Sequence, residues 1–266
     1  MKSGWKLGRL AGIDLYMHWT FPLLLLCEAM ESGLNGVVLI SAVFGCVVLH
    51  ELGHAMAARG FGIPTRDITL YPFGGIARLE RMPRAPGAEF LIAIAGPAVN
   101  FVIAGTLVLA MILGSTLAPW ARGSALAYFA TSLLVINVWL GLFNLLPAFP
   151  MDGGRILRAL LSIPLGRLRA TEIAATLGKV LAVVLPLGLI VFTRSSPLMP
   201  ILVAFFIYFA AGAELASVRE EEHRRRFGEG VWTAEPGYQW VPTGNGTWQL
   251  VPIVVPTRSW ERSRWL

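Results

Sequence analysis

The sequence predicts an all-α membrane protein with six transmembrane helices, a short cytoplasmic β-like loop after the second helix and a broken fourth helix. Hydrophobic residues make up 55% of its 266 residues and charged residues 14%, against about 25% charged residues in a soluble domain. Residues 90–121 and 123–151 contain no charged side chain, and each run is longer than the roughly 20 apolar residues that cross a bilayer. These observations indicate that most of the chain lies in a lipid bilayer. They exclude a soluble enzyme, a disordered chain and a nucleic-acid-binding protein.

Six apolar segments are separated by clusters of Gly, Pro and charged residues, and each is a candidate span. They cover residues 15–34, 36–58, 89–115, 124–147, 173–193 and 196–217. The first contains Glu28 and Glu31, which must then lie near an interface. A signal peptide is the alternative for this segment, but no small-residue cleavage pattern follows it, which favours an uncleaved anchor.

Cationic residues alternate between the two sides of these segments, and short loops rich in Lys and Arg stay on the cytoplasmic side. The N-terminus, the loops after segments 2 and 4, and the tail contain most of them: Lys2, Lys6, Arg9; Arg59, Arg66, Arg78, Arg81, Arg84; Arg155, Arg158, Arg167, Arg169; Arg219 and Arg224 to Arg226. The opposite connections contain only Arg122 and Arg194. The alternation predicts six spans in the cell membrane with both termini in the cytoplasm. It also accounts for the net charge of +6 without a nucleic-acid partner.

The composition changes at Arg219, so residues 1–218 are expected to form the membrane domain and residues 219–266 a cytoplasmic tail. Five of the nine Trp residues lie in this tail. Residues 238–242 and 247–251 are separated by Asn245-Gly246, which predicts a small β-hairpin. The Trp and Arg side chains either lie against lipid headgroups or form a contact site for a regulatory partner.

An H-E-x-x-H motif, His50-Glu51-Leu52-Gly53-His54, lies in the second segment. On a helix, residues i and i+4 share a face, so both imidazoles reach one metal ion, and Glu51 lies beside them where it can hold a metal-bound water. Zinc favours this nitrogen-rich tetrahedral set and keeps a fourth position open for water. Histidines buried by packing alone are the alternative, but such groups are costly in a membrane helix without a partner or a cavity. The motif predicts a zinc site roughly 13 Å from the cytoplasmic end of the segment.

A catalytic zinc of this type needs a third protein ligand. The chain has three Asp residues, Asp14, Asp67 and Asp152. Asp152 is the best placed, because residues 144–154 (NLLPAFPMDGG) carry two prolines and two glycines at the cytoplasmic end of segment 4. Irregular backbone at this depth is tolerated only where it is buried or lines a wet cavity, so the break indicates a site. The alternative for Asp152 is the N-cap of a helix that begins at Arg155.

Together, the H-E-x-x-H motif and the N-x-x-P-x-x-P-x-D-G-G pattern of residues 144–154 resemble the site-2 protease family of intramembrane zinc metalloproteases. Residues 9–20, 71–78 and 96–100 resemble the same family, above all its compact bacterial and archaeal members. The resemblance covers about residues 9–217. Many relatives carry cystathionine-β-synthase-type or PDZ domains, for which this chain has no room. The resemblance implies a protease that cleaves peptide bonds in or near the transmembrane segments of a membrane-protein substrate.

The resemblance also implies a catalytic set. His50, His54 and Asp152 would bind one Zn²⁺ per chain. Glu51 would act as general base on the activated water and then pass the proton to the leaving amine. Asn144, eight residues before the Asp, would contact the substrate or stabilise the oxyanion of the transition state.

Three further positions are predicted substrate contacts from the same resemblance. Gly74 and Gly75 would belong to a loop that presents a strand edge to an unwound substrate helix. An ordinary turn is the alternative for this pair. Asn100 is a candidate substrate contact, and it is also expected to donate a hydrogen bond between helices.

Two other functional classes fit part of the sequence. One is a different membrane zinc peptidase, whose third ligand would be a Glu on a later helix, here Glu172 or Glu214. The other is a non-proteolytic protein that binds or transports a metal ion, or an inactive scaffold. Glu51 argues against this second class, because neither transport nor scaffolding needs a base beside the metal.

Overall fold

The computed structural model describes residues 4–81, 83–117, 123–193, 198–227, 237–243 and 247–253. They belong to two compact units, Met1–Ala216 and Ser217–Leu266. The helices are α1 Phe21–Gly60, α2 Pro86–Leu117, α3 Ala125–Asn144, α4 Asp152–Leu165, α5 Arg167–Thr193 and α6 Leu198–Phe227. The strands are β1 Gly4–Leu10, β2 Ile13–His18, β3 Thr65–Tyr71, β4 Gly74–Leu79, β5 Tyr238–Thr243 and β6 Thr247–Pro252. Most of the described residues are helical, as predicted. The described residues also form six strands, where one short β-like loop is predicted.

A four-stranded sheet in the order β1-β2-β3-β4 packs against α1. β1 and β2 pair antiparallel, β2 and β3 pair parallel, and β3 and β4 pair antiparallel. β3 and β4 lie where the sequence predicts a β-like loop, and β4 forms one edge of the sheet. The prediction of a helix from residue 15 is wrong, because residues 15–18 belong to β2. The alternating side chains of Ile13, Leu15 and Met17 pack into the apolar core with a period of two.

α1 reverses its direction at Gly33. This residue has φ 65° and ψ −156°, a conformation open to glycine but strained for other residues. The rings of Phe21 and Phe44 meet edge to face with centroids 4.6 Å apart, whereas one straight helix would separate them by roughly 34 Å. The two halves of α1 therefore lie side by side and correspond to the first two predicted segments. The first half, residues 21–32, is only about 18 Å long, shorter than the roughly 30 Å hydrocarbon core of a bilayer.

Five helices in the described part of the chain are long and apolar enough to cross a membrane. These stretches are Phe21–Gly60, Pro86–Leu117, Ala125–Asn144, Arg167–Gly188 and Pro200–Arg225. Many of their large apolar side chains point outward: Leu109, Leu187 and Phe205 are each more than half exposed. Apolar surface of this extent on long helices belongs in lipid. The chain is therefore a multi-pass membrane protein. The six predicted segments correspond to five helices because the first two form α1.

The predicted fourth segment ends earlier than residue 147. α3 ends at Asn144, and residues 145–151 form a non-helical connection that contains a cis peptide bond between Phe149 and Pro150. The amphipathic helix α4 then begins at Asp152. The alternative of a helix that begins at Arg155 comes close to α4, but no membrane span is predicted here, because the apolar stripe is far below spanning length.

The second unit contains the tail hairpin. β5 and β6 pair antiparallel, with Tyr238 opposite Pro252 and Thr243 opposite Thr247. This register confirms the predicted hairpin. The predicted Asn245-Gly246 turn itself lies outside the described residues.

Candidate metal centre and active site

The two histidines of the H-E-x-x-H motif lie on one face of α1, as the i, i+4 spacing predicts. His50 and His54 are each only 6% exposed. Their rings meet nearly at right angles, with centroids 4.8 Å apart. Their Nε2 atoms are 3.2 Å apart. Both Nε2 atoms therefore point into the same small space.

The opposite nitrogen of each ring is held by helix α2. His54 Nδ1 donates a hydrogen bond to the backbone oxygen of Ile92 at 2.7 Å. His50 Nδ1 faces Asn100 Oδ1 at 3.3 Å. A carbonyl oxygen can only accept, so the Nδ1 of His54 must carry a proton, and in the neutral form of the ring Nε2 is the atom with the lone pair. Such outer partners fix the orientation of imidazoles that bind metals.

Asp152 joins the histidines from the other side. It is the first residue of α4 and is 9% exposed. Its Oδ2 atom lies 3.2 Å from His50 Nε2 and 3.1 Å from His54 Nε2. Met151 is the N-cap of α4, so the alternative of Asp152 as an N-cap is wrong. The non-helical connection before α4 lets the chain turn so that this carboxylate meets the imidazole pair.

The three donor atoms fit a tetrahedral metal ion. Their separations are 3.1 to 3.2 Å. Zinc bonds of 2.0–2.1 Å in a tetrahedron imply about 3.3–3.4 Å between neighbouring donors. Two imidazole nitrogens and one carboxylate oxygen are also a donor set that zinc prefers. One metal ion would satisfy all three electron-pair donors at once, so His50, His54 and Asp152 are suited to hold it.

Gly96 of α2 forms a wall of this space. A Cβ atom at this position would lie 2.2 Å from His54 Nε2 and 2.7 Å from His50 Nε2. Real Cβ atoms do not approach other atoms this closely. In the sequence, Gly96 belongs only to a stretch that resembles the family, whereas in the structure its missing side chain leaves room at the metal-binding atoms.

We expect Gly96→Ala to weaken zinc binding by about 10–100-fold, the range for changes that misorient metal ligands. The added methyl group would push both imidazoles away from their present positions. The measurement is a Zn²⁺ titration of the purified, metal-free chain. Gly105→Ala is the matched control on the same helix, because its Cβ would meet nothing within 4 Å. Equal zinc affinities for the two variants would contradict this role of Gly96.

Glu51 lies beside the metal-binding group and is held by the sheet. Its Oε2 atom accepts a hydrogen bond from the backbone N–H of Ala77 in β4 at 3.0 Å. A Cβ on Gly75, also in β4, would lie 2.8 Å from Glu51 Cγ. The carboxylate interacts electrostatically with His50, His54 and Asp152. The edge strand of the sheet therefore passes directly over the side chain predicted to be the general base.

The other predicted site residues lie at varying distances from this group. Gly75 packs on Glu51, and its neighbour Gly74 opens the same strand. Asn100 presents its amide oxygen to His50, so the prediction that it donates an interhelical hydrogen bond is wrong: it accepts one. Its role toward a substrate stays a prediction. Asn144 is the last residue of α3 and is partly exposed.

Glu214, one of the two alternative third ligands, is paired with a residue outside the metal-binding group. Glu214 forms an ion pair with Arg158 at 2.7 Å. Neither Glu214 nor Glu172 belongs to the metal-binding group found among the described residues, which consists of His50, His54 and Asp152. The geometry therefore favours Asp152 over a later Glu as the third ligand.

Sequence reasoning missed the residues that act through backbone atoms or through a missing side chain. Ile92 and Ala77 contribute a carbonyl oxygen and an N–H, which no side-chain pattern reveals. Gly96 contributes an empty space. The available signal was the position of Gly96 next to Pro97 in an otherwise apolar helix, because small residues mark close helix contacts in membranes.

Comparison with known proteins places these features in context. The model of the family described as Peptidase family M50 matches residues 38–118 and 118–185. A zinc metalloprotease of Methanocaldococcus jannaschii is 40% identical over 221 residues, which cover 81% of this chain and 62% of the relative. The Mycobacterium tuberculosis protein Rip3 is 36% identical over 242 residues, covering 84% of this chain and 60% of the relative. The chain thus spans about three fifths of the length of these relatives.

A solved structure is also similar. The site-2 protease from Methanocaldococcus jannaschii aligns with a TM-score of 0.58 and 35% sequence identity. The alignment covers 80% of this chain and 95% of that chain. The similarity therefore includes both fold and sequence.

Proposed function

Because the chain belongs to peptidase family M50, the site-2 protease family, we propose that it is a zinc metalloendopeptidase of the membrane. It hydrolyses peptide bonds in or near the transmembrane segments of other membrane proteins. The observation that carries this proposal is the convergence of two imidazole nitrogens and one carboxylate oxygen at 3.1 to 3.2 Å, with Glu51 beside them. The match to the family model and to the relatives confirms the predicted resemblance to this family.

In this proposal His50, His54 and Asp152 hold one Zn²⁺. The ion, when bound, supplies a Lewis acid that polarises the substrate carbonyl and lowers the pKa of water. The protein residues orient the donors: Ile92 and Asn100 turn the imidazoles, and the connection before α4 brings in the carboxylate. Burial of all three donors keeps bulk water from competing for them.

Glu51 moves the protons. Its carboxylate takes a proton from the attacking water and delivers it to the nitrogen of the scissile peptide bond, so that an amine leaves. The Ala77 N–H binds one carboxylate oxygen and leaves the other to contact water. This division of roles supports a base that is oriented before the substrate arrives. The same placement disfavours a metal transporter or an inactive scaffold, for which an oriented base has no purpose.

The edge of β4 is the proposed substrate-binding surface. A helical peptide bond must be exposed before it is attacked, and pairing with an open strand edge holds the unwound segment extended. β4 is an outer strand of its sheet, and Gly74, Gly75 and Ala77 run past Glu51. We propose that the substrate adds along this edge and that Asn144 contacts it or stabilises the oxyanion.

The proposal also includes the orientation of the chain in the membrane. We propose six membrane segments in the cell membrane with both termini in the cytoplasm. The first two are the halves of α1, and the first of these, at about 18 Å, is too short to cross the full hydrocarbon core by itself. The cationic residues of the N-terminus and of the loops after segments 2 and 4 support this orientation. Residues 1–218 would form the protease domain and residues 219–266 a cytoplasmic tail that contacts a regulatory partner.

The test is cleavage of a model transmembrane substrate by the purified chain in liposomes. We expect one Zn²⁺ per chain, loss of cleavage after chelation, and recovery when zinc is restored. His54→Ala should abolish both metal binding and cleavage, because it removes one of three ligands. His223→Ala, which changes an exposed His in the second unit, is the matched control. Cleavage that persists without metal would refute the proposal.

A further inference from the structure

Arg158 of α4 is the bulkiest of the fully buried side chains among the described residues, with 0% exposure. Its guanidinium lies between two carboxylates from different helices. Nε donates to Oε1 of Glu89 in α2 at 2.6 Å, and Nη1 donates to Oε1 of Glu214 in α6 at 2.7 Å. Nη2 also contacts Glu89. The guanidinium carbon lies 4.8 Å over the ring centre of Phe149.

Burial of this group needs an explanation. A cation that only marks the cytoplasmic side of a membrane would stay in water. Removing charges from water is costly, and buried ion pairs seldom add net stability, although they can specify one arrangement of their elements. Arg is suited to this task because its planar fork binds carboxylates in fixed directions, which Lys cannot do.

Arg158 holds the chain on both sides of Asp152. It follows Asp152 by six residues on α4, and its ring partner Phe149 precedes Asp152 by three. Phe149 is itself buried among Ala174, Ala175 and Ala211. The short segment that carries the Asp152 carboxylate is therefore held in place on both sides, by Phe149 before it and by Arg158 after it.

Arg158 also connects this segment to α2, the helix whose residues contact both histidine rings. Glu89, Ile92, Gly96 and Asn100 are spaced by three, four and four residues, so they share one face of α2. Glu89 binds Arg158, Ile92 binds His54, and Asn100 binds His50. One helix face therefore supports both the imidazole pair and the element that carries Asp152.

We infer that Arg158 and Glu89 are positioning residues that set the Asp152 carboxylate at coordinating distance from His50 and His54. Their described side-chain contacts are with each other and with Glu214, Phe149 and Arg167, and none is with a metal-binding atom. They act by locking α4 to the face of α2 on which both imidazoles are held. This inference rests on the proposed function, because it concerns the same metal site.

The test measures metal binding by the purified full chain in detergent, without reference to cleavage. Metal-free wild type, Arg158→Lys, Arg158→Met and Glu89→Gln are titrated with Zn²⁺ and with Co²⁺, whose visible spectrum reports the coordination geometry. We expect the zinc Kd of each variant to rise about 10–100-fold, with an altered cobalt spectrum. Arg78→Lys is the matched control: Arg78 pairs with the buried Asp67 at 2.9 Å in the sheet, and we expect wild-type affinity.

Thermal unfolding of the metal-free proteins separates positioning from a merely structural role. If Arg158 only stabilises the fold, the variants unfold at lower temperature while the zinc Kd and the cobalt spectrum of the folded protein stay unchanged, which overturns the inference. If Arg158→Met does not fold, Arg158→Lys decides, because it keeps the buried charge. A wild-type chain that binds no zinc overturns the proposed function as well, so the two failures are distinguishable.

Discussion

Replacing Glu51 with Gln is expected to reduce the cleavage rate of a transmembrane substrate by about 10²–10⁴-fold, the range that a positioned general base contributes. The amide keeps the size of the carboxylate, and its oxygen can still accept from the Ala77 N–H. It cannot take a proton from water at neutral pH. Zinc binding should be unchanged, because the metal-binding group consists of His50, His54 and Asp152.

The measurement is single-turnover cleavage together with metal analysis of the same preparation. Glu31→Gln is the matched control, since it makes the same chemical change at an exposed position in the first half of α1. We expect that control to cleave at the wild-type rate. Full activity in Glu51→Gln would remove the proposed base, whereas loss of zinc would mean that Glu51 belongs to the metal site.

Replacing Asp152 with Ala is expected to weaken zinc binding by more than the about 10–100-fold that loss of an outer partner costs. The substitution removes one of three donors, and it leaves the Nε2 atoms of His50 and His54 without the negative charge that faces them at 3.1 to 3.2 Å. Cleavage should disappear at limiting zinc. Zinc titration of the metal-free chain measures the first effect directly.

Asp14→Asn is the control for this substitution, because Asp14 is paired with Lys6 in the sheet at 2.8 Å. We expect it to bind zinc as the wild type does. If Asp152→Ala kept wild-type zinc affinity, the third ligand would have to be another group, and the assignment of the active site would fail.

Local composition made the long helices predictable. The charge-free run that follows Glu89 corresponds to α2, which begins three residues before the predicted segment and ends two residues after it. The H-E-x-x-H spacing likewise predicted that both imidazoles share a helix face. Each of these features depends on neighbours within a few turns of one helix, which a sequence pattern records.

Features that join distant parts of the chain could not be predicted in the same way. β2 pairs with β3 about fifty residues later, with Asp14 opposite Asp67. The apolar run from Leu15 to Cys27 conceals the change from strand to helix. Arg158 looked like one more cytoplasmic cation, because its partner Glu89 lies 69 residues earlier in the chain. The pairing of these two charges exists only after α2 and α4 pack together.

The hydrogen-bond acceptors of the two imidazoles differ in whether a mutation can remove them. His54 is held by the main-chain oxygen of Ile92, and every amino acid at position 92 would still supply that oxygen. His50 is held by the side-chain amide of Asn100, and most substitutions there would delete the acceptor. A single substitution at position 100 can therefore remove the acceptor of one histidine, whereas the acceptor of the other is part of the main chain and is present with any side chain.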